Sequence, residues 1–352
     1  MKNKIIGKGS HGCVFKPAFE CYSKNTKKTK KTKKTKKTKT KKTKKISKIM
    51  FDKKKALAEF NINQMIQKIP NYNKWGIIWK QLCDPPPTKY LKQYSEIELC
   101  DKYFSKSIID INDKNNYSML IGDYGGISLK ERCLQMITSS TFKDTKKFDK
   151  IFIVLLKYLQ NIFFALTQLN QYEICHLDIT GNNIVYKNKK CYLIDFSSSC
   201  KFNQVICLLK KINKEYSSNR LYLPLPYEFL CFNTLNDNNI YEDRTGFDKY
   251  NLIHSKIFNR PNLPTTIKQM NQKKYLNTTI SNLDTYSLGM LLPNVIYNIG
   301  KKLKINDKII IQCFRSKNIK QYVNLLKNMT EIPNQLNNTD EIYKQYKQLF
   351  TK

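Results

Sequence analysis

The chain has 352 residues, 41% of them hydrophobic, and a formal net charge of +36. That length and apolar content suit one large domain or two lobes with a sizeable core, and with no run of about 18 apolar residues no membrane span is expected. Eleven scattered cysteines, odd in number and without a CxxC pair, point to reduced thiols in a cytosolic setting rather than a disulfide framework or a zinc site.

The N-terminus, "MKNKIIGKGS", lacks the long apolar stretch of a signal peptide. "KIIGKG" reads as a strand, followed by a glycine turn and a second strand, "CVFKPAF". Gly7, Gly9 and Gly12, with Val14 after them, have a spacing that lets backbone amides approach phosphate oxygens. A tight hairpin that needs glycines explains the same residues about as well. A dinucleotide fold would place a helix directly after the glycines, and here a strand follows.

Residues 24–45, "KNTKKTKKTKKTKKTKTKKTKK", hold 14 lysines and no acid, so much of the charge is local, although removing them still leaves +22. Such a tract repels itself and cannot bury a core. It is expected to be a disordered insertion, able at most to bind nucleic acid or acidic proteins weakly through counterion release. No zinc finger, basic helix with heptads or interleaved aromatic pattern accompanies it.

"KISKIMF" follows, and Lys48 within it lies between apolar neighbours, a position that asks for a partner for its ammonium. Lys44 and Lys45 are close rivals for that role. Residues 52–68 have apolar positions at helical spacing, Ala58, Ile62, Met65 and Ile66. Glu59, on this helix, is the acid a buried Lys48 would pair with. "CDPPPTKY" marks a loop, and "YSMLIGDYGG" a strand ending in a glycine-rich connector. Residues 123–127 are the expected boundary between a strand-rich third and a helix-rich remainder. "FDKIFIVLLKYLQNIFFALTQLNQYEI" reads as one long, mostly buried helix, leading into "HLDITGNNIVY" and then a strand, "KKCYLIDF".

Asp178 has the character of a base that orients an attacking hydroxyl. Asn183 and Asp195 offer the oxygen ligands that a hard cation wants. Phosphoryl transfer needs mainly positioning and charge neutralisation, and His176, Asp178, Asn183, Asp195 and Phe196 at these spacings suit it.

In this order the motifs resemble those of eukaryotic-type serine/threonine protein kinases, over most of the chain. They comprise the glycine-rich loop, the strand Lys48, the helix Glu59, the loop His176–Asp178–Asn183, the pair Asp195–Phe196, and "DTYSLG" at 284–289. "PLPYEFL" stands where that family has Ala-Pro-Glu, with Glu228 the acid and Arg315 its candidate partner. The resemblance implies an α+β, bilobal protein-kinase fold. A small antiparallel β-sheet lobe with one helix would span residues 1–123. A larger, mainly helical lobe would span 124–352, with an insertion at about 230–282. ATP and Mg²⁺ would lie between the lobes. Ile6, Gly7, Lys8, Gly9, Ser10, His11, Gly12, Cys13 and Val14 would line the nucleotide, Lys48 held by Glu59 would position its phosphates, Asn183 and Asp195 would bind Mg²⁺, and Asp178 would be catalytic. "DTYSLG" would lie on the helix that anchors the catalytic loop. The implied activity is transfer of the γ-phosphate of ATP to hydroxyls of protein substrates, by a monomer. The "GCVFKPAF" wording and the Lys/Asn/Ile-heavy composition are similar to those of kinases of giant DNA viruses, which implies host cytoplasm or a place in the virion.

The chain departs from the family at named positions. Leu177 replaces the arginine that receives a phosphorylated activation segment, and Thr180 replaces a lysine. Ser197 follows Phe196 where glycine is usual, so it is expected to need a glycine-like backbone. Asn63 is polar where the family is apolar, His11 replaces an aromatic, and Gly122 falls at the position guarding the back pocket. Three alternatives are an impaired kinase fold used as a scaffold, a small-molecule kinase, and a binding-only basic protein, which would leave the motif order unexplained. The charged groups needed for the chemistry are all present.

Overall fold

A computed structural model describes residues 3–9, 12–22, 45–87, 117–205, 252–258, 279–330 and 338–351. Nearly all of the lysine tract, most of the segment that follows Asp195, and most of the expected insertion lie outside these. The architecture is α+β. The chain divides into two compact units, Met1–Tyr72 with Ile77–Gly125, and Asn73–Gly76 with Gly126–Lys352.

The first unit is built on an antiparallel sheet. Its strands are β1 (Lys4–Gly9), β2 (Gly12–Lys16), β3 (Lys45–Met50), β4 (Trp79–Cys83) and β5 (Ser118–Asp123), in the order β1-β2-β3-β5-β4. Side chains alternate between faces along a strand, and the two faces of this sheet have different cores. Cys13, Phe15, Phe19, Ile49, Met119 and Ile121 pack on one. Met50 and Leu120 pack on the other with Ala56 of helix α1 (Lys53–Gln67). Lys48 pairs with Leu120 and has the parity of Met50, so it faces the helix. Asp52 caps α1 by accepting from the Lys55 amide at 3.0 Å.

The face that α1 buries differs from the apolar stripe read in the sequence. Ala56, Glu59, Asn63 and Ile66 are buried, while Ala58 is exposed and Ile62 and Met65 are half-buried. Two polar side chains take the core-facing positions because partners on the sheet receive them. The cysteines also need a correction. Cys21 and Cys83, 62 residues apart, form a disulfide that ties the chain after β2 to the end of β4. The fold brings together two residues whose spacing carried no signal.

The second unit is mainly helical. Its helices are α2 (Leu129–Met136), α3 (Ser139–Lys143), α4 (Thr145–Tyr158), α5 (Gln160–Gln171), α6 (Leu283–Lys302), α7 (Asp307–Phe314), α8 (Lys320–Met329) and α9 (Thr339–Phe350). Strands β6 (Ile127–Ser128), β8 (Ile184–Lys187) and β9 (Lys190–Leu193) form one small sheet. β7 (Ile174–Cys175) pairs with β10 (Cys200–Lys201). The expected single helix is two, α4 and α5, because fully buried Leu159 sits in a tight turn with Leu156 O and Ile162 N as its bonding partners. By length and composition alone the stretch Thr145–Gln171 is long and apolar enough to cross a membrane. Half of its most apolar window is buried inside the protein, and a core helix passes the same test. Helix α6 is buried on nearly every side, which marks a central core helix. Cys133, Cys175, Cys191, Cys200 and Cys313 are buried free thiols. Burial pushes the Cys133 and Cys200 thiols up to about 12, with a contribution from Asp284 at Cys200, so these two stay protonated and inert near neutral pH.

Candidate active site

In the first unit, Ile6, Gly7, Lys8 and Gly9 lie on β1 and Cys13 and Val14 on β2, while Ser10 and His11 fall outside the described residues. The two strands pair with a register shift between Ile5 and Gly7, and Ile6 is exposed. Gly12 has a structural reason to be glycine. A Cβ there would stand 2.1 Å from the carbonyl oxygen of Ile49 on β3. At Gly7 the nearest atoms to such a Cβ, those of Val14, are 3.6 Å away or more, so the fold itself does not demand glycine at that point.

Lys48, rather than exposed Lys45, is the buried lysine of β3. Its Nζ donates to Glu59 Oε1 at 2.9 Å and Oε2 at 2.8 Å. Both side chains are nearly closed to solvent, at 8% and 1% relative exposure. A buried pair of this kind is held by its remaining hydrogen bonds as much as by charge, and Glu59 has them. Trp79 Nε1 donates to Glu59 Oε1 at 2.7 Å. Asn63 Nδ2 donates to the Glu59 carbonyl at 2.6 Å, and Asn63 Oδ1 accepts from the Trp79 amide at 2.9 Å.

In the second unit, residues 176–183 form a loop between β7 and β8. Its entrance hangs on the first turn of α6. Asp284 Oδ2 accepts from the His176 amide at 2.5 Å, and Oδ1 from the Leu177 amide at 2.9 Å. Burial pushes the Asp284 carboxyl up from the ordinary carboxylate value, against the opposing pull of His176 and of the two amide bonds. Leu177 is buried with φ +63°, a left-handed conformation that costs a non-glycine residue about 1–2 kcal/mol. The His176 ring has no exposed surface. Its Nδ1 accepts from the Asp178 amide at 3.3 Å, so Nε2 carries the proton and donates to Ile194 O at 3.1 Å.

Asn183 closes the loop. Its Nδ2 donates to Asp178 Oδ2 at 2.6 Å and to Asp178 O at 3.1 Å, and its carbonyl accepts from the Ile194 amide at 3.0 Å. With the nitrogen committed to Asp178, Oδ1 is the atom Asn183 can present to a cation. Asp195 follows, at φ +58°, and opens a short 3₁₀ turn at Phe196–Ser198. Phe196 is fully buried, its ring 4.9 Å from that of His176 and 6.4 Å from that of Trp75. Ser197 is not left-handed, contrary to the expectation from sequence. The positive φ falls on Asp195, so serine fits without strain.

The structure therefore brings Lys48 to Glu59 in one unit, and Asp178 to Asn183 near Asp195 along the chain in the other. Glu228 lies outside the described residues, and Arg315 donates to the Lys256 carbonyl at 3.2 Å. Trp79 and β4 escaped the sequence reading. The burial of β4 follows no alternation, because its register shifts between Trp79 and Gln81. One available signal was that a buried indole N–H needs an acceptor and this chain has only two tryptophans. Among the described residues no group of three or more His, Cys, Asp or Glu side chains gathers to hold a metal ion by itself. No family model and no curated protein matches the chain, so a functional reading rests on these residues.

Proposed function

We propose that the chain is a protein kinase with the bilobal kinase fold, the first unit serving as the small lobe and the second as the helical lobe. It would transfer the γ-phosphate of ATP to serine or threonine hydroxyls of proteins. The observation that carries this reading is the loop 176–183, hung by two amides on buried Asp284, with Asp178 held by the Asn183 amide nitrogen at 2.6 Å. A surface loop has no need of a buried carboxylate to set its backbone. A loop that must hold one acid at a fixed place does.

In this reading Asp178 accepts the proton of the attacking hydroxyl as its oxygen forms a bond to the γ-phosphorus. The bond from that phosphorus to the bridging oxygen breaks, and ADP leaves. Asn183 Oδ1 and the Asp195 carboxylate are hard oxygen donors fit for Mg²⁺, and two protein ligands suit an ion that completes its shell with phosphate oxygens and water. Bound Mg²⁺ would neutralise charge on the transferring phosphate. Lys48, fixed by Glu59, supplies a cation for the α- and β-phosphates, and Gly7, Gly9 and Gly12 leave backbone amides open to them. The test is incubation of the purified chain with labelled ATP, Mg²⁺ and generic protein substrates, beside Asp178→Asn. Label on serine or threonine from the wild type alone is the expected result. No transfer and no Mg²⁺-ATP binding by the folded wild type would refute the reading.

A further inference from the structure

Helix α1 meets the sheet through an unusual surface. Of its four buried residues, Glu59 and Asn63 are polar, Ala56 is small, and Ile66 is the one large apolar side chain. Apolar packing alone therefore fixes its seat weakly, and the polar contacts choose it. Two of those contacts lead to Trp79, and a third, within the helix, ties Asn63 to Glu59. The indole N–H donates to Glu59 Oε1, the Trp79 amide donates to Asn63 Oδ1, and Asn63 Nδ2 returns to the Glu59 carbonyl. Helix and strand β4 are thus joined at both the backbone and the side chain of one residue. The indole also has room to lie there. Gly122 pairs with Trp79 across β4 and β5, and a Cβ on it would stand 3.0 and 3.3 Å from carbons of the indole ring and 3.2 Å from Ile78 O.

We propose that Trp79 and Asn63, seated over Gly122, form a built-in lock that holds Glu59 on Lys48, so that the phosphate-positioning ion pair stands assembled without an activating partner or a modification. What the pair grips rests on the kinase reading; that the lock holds the helix does not. Trp79 and Asn63 are positioning residues, since they act through Glu59. Oε1 of Glu59 accepts from both Lys48 and Trp79. Losing the indole donor leaves a buried carboxylate with one fewer hydrogen bond, and the helix gains freedom to rotate the acid away. A hydrogen bond to a charged group is worth about tenfold or more in the equilibrium it governs.

The experiment compares wild type, Trp79→Phe and Asn63→Leu in the full chain. Phe keeps an aromatic ring and removes the donor; Leu keeps approximate volume and removes both amide bonds. Two readouts are taken: amide hydrogen exchange across residues 53–67, and the KM for ATP beside kcat at saturating Mg²⁺-ATP, with no activator added. The expected result is exchange about tenfold faster in that helix and a KM raised about tenfold, with kcat changed less and exchange in residues 283–302 unaltered. Wild-type exchange and wild-type KM in both variants would overturn the lock. If Trp79→Phe does not fold, Asn63→Leu decides by the same readouts. If the wild type binds no nucleotide, the kinase reading falls, and the exchange data still decide whether Trp79 holds the helix. A wild type that binds Mg²⁺-ATP only after addition of a partner would overturn the claim that the pair is preassembled.

Discussion

Replacing Asp284 by asparagine tests how the candidate catalytic loop is held. The carboxylate accepts two amides, His176 at 2.5 Å and Leu177 at 2.9 Å. Asparagine has one oxygen, and its NH₂ must face the second amide, so one bond is lost and one buried N–H is stranded. A hydrogen bond to a charged acceptor is worth about 1.5–3 kcal/mol, and relief of the buried charge returns part of that. A net loss of about 2 kcal/mol follows, which for a unit of this size lowers Tm by about 4–8 °C. If the same free energy separates the loop's productive shape from its relaxed one, the transfer rate falls about 30-fold. Asp284→Ala strands both amides, and about 4 kcal/mol would mean a fall of about a thousandfold. Initial rates at saturating Mg²⁺-ATP, with thermal melts of each variant, measure both effects. Asparagine within two- or three-fold of wild type, or alanine no worse than asparagine, would refute the reasoning. The pH dependence has a definite sign. Burial raises the folded-state pKa of Asp284, so the stability this group contributes is full below its unfolded pKa and is lost as pH rises through the folded value. Its bonds to the loop need the ionised form. On acidification through that pH, raised from the ordinary carboxylate value by burial, the rate should fall while this group alone causes no loss of Tm.

The other predictions are more direct. Asp195→Asn should cut Mg²⁺-dependent transfer by orders of magnitude and leave the melt unchanged, because asparagine tolerates the left-handed backbone at φ +58°; a near-wild-type rate with a normal melt would remove Asp195 from the metal site. Deleting residues 25–43 should leave turnover on a neutral peptide within a few-fold, since loop length costs little closure entropy, and should weaken any salt-sensitive binding to RNA or acidic protein; loss of turnover by a folded deletion variant would place the tract at the active site. Reducing the Cys21–Cys83 disulfide, which closes a 62-residue separation, should destabilise the first unit by about 4 kcal/mol at most on the chain-entropy account; a melt indifferent to dithiothreitol, with reduction confirmed by mass spectrometry, would count against the bond. Gly122→Val should reproduce the raised KM of Trp79→Phe by pushing the indole aside; unchanged kinetics would show that the ring has somewhere else to go.

Much of the geometry of the candidate site was legible because its residues stand at short, fixed separations along the chain. Lys48 and Glu59 stood out as a lysine among apolar neighbours and an acid eleven residues on. Asp178, Asn183 and Asp195 are tied to the short loop and hairpin that hold them, so their spacing survives in the sequence. What stayed hidden depends on contacts between distant segments. The Cys21–Cys83 bond is one case, and the break at Leu159 within an unbroken apolar run is another. Ser197 is a third. The expectation of a glycine-like backbone there fails because the left-handed turn is taken two residues earlier in the loop, at Asp195, a shift that no residue type announces.

Helix α1 shows why reading apolar periodicity misleads most where the chemistry concentrates. Periodicity assigns the apolar stripe to the core, yet Glu59 and Asn63 are buried and Ala58 is not. A buried polar group is tolerated only where its hydrogen bonds are met, and here those bonds come from β3 and β4, segments that the pattern within the helix cannot see. Asn63 and Gly122 each look like a defect when taken alone: a polar residue in an apolar place, and a glycine inside a strand. Trp79 accounts for both. Asn63 receives its amide, and Gly122 leaves space for its ring. A substitution at any one of the three should therefore be felt at Glu59, and effects at Trp79 and Asn63 should combine less than additively, because each breaks the same seat.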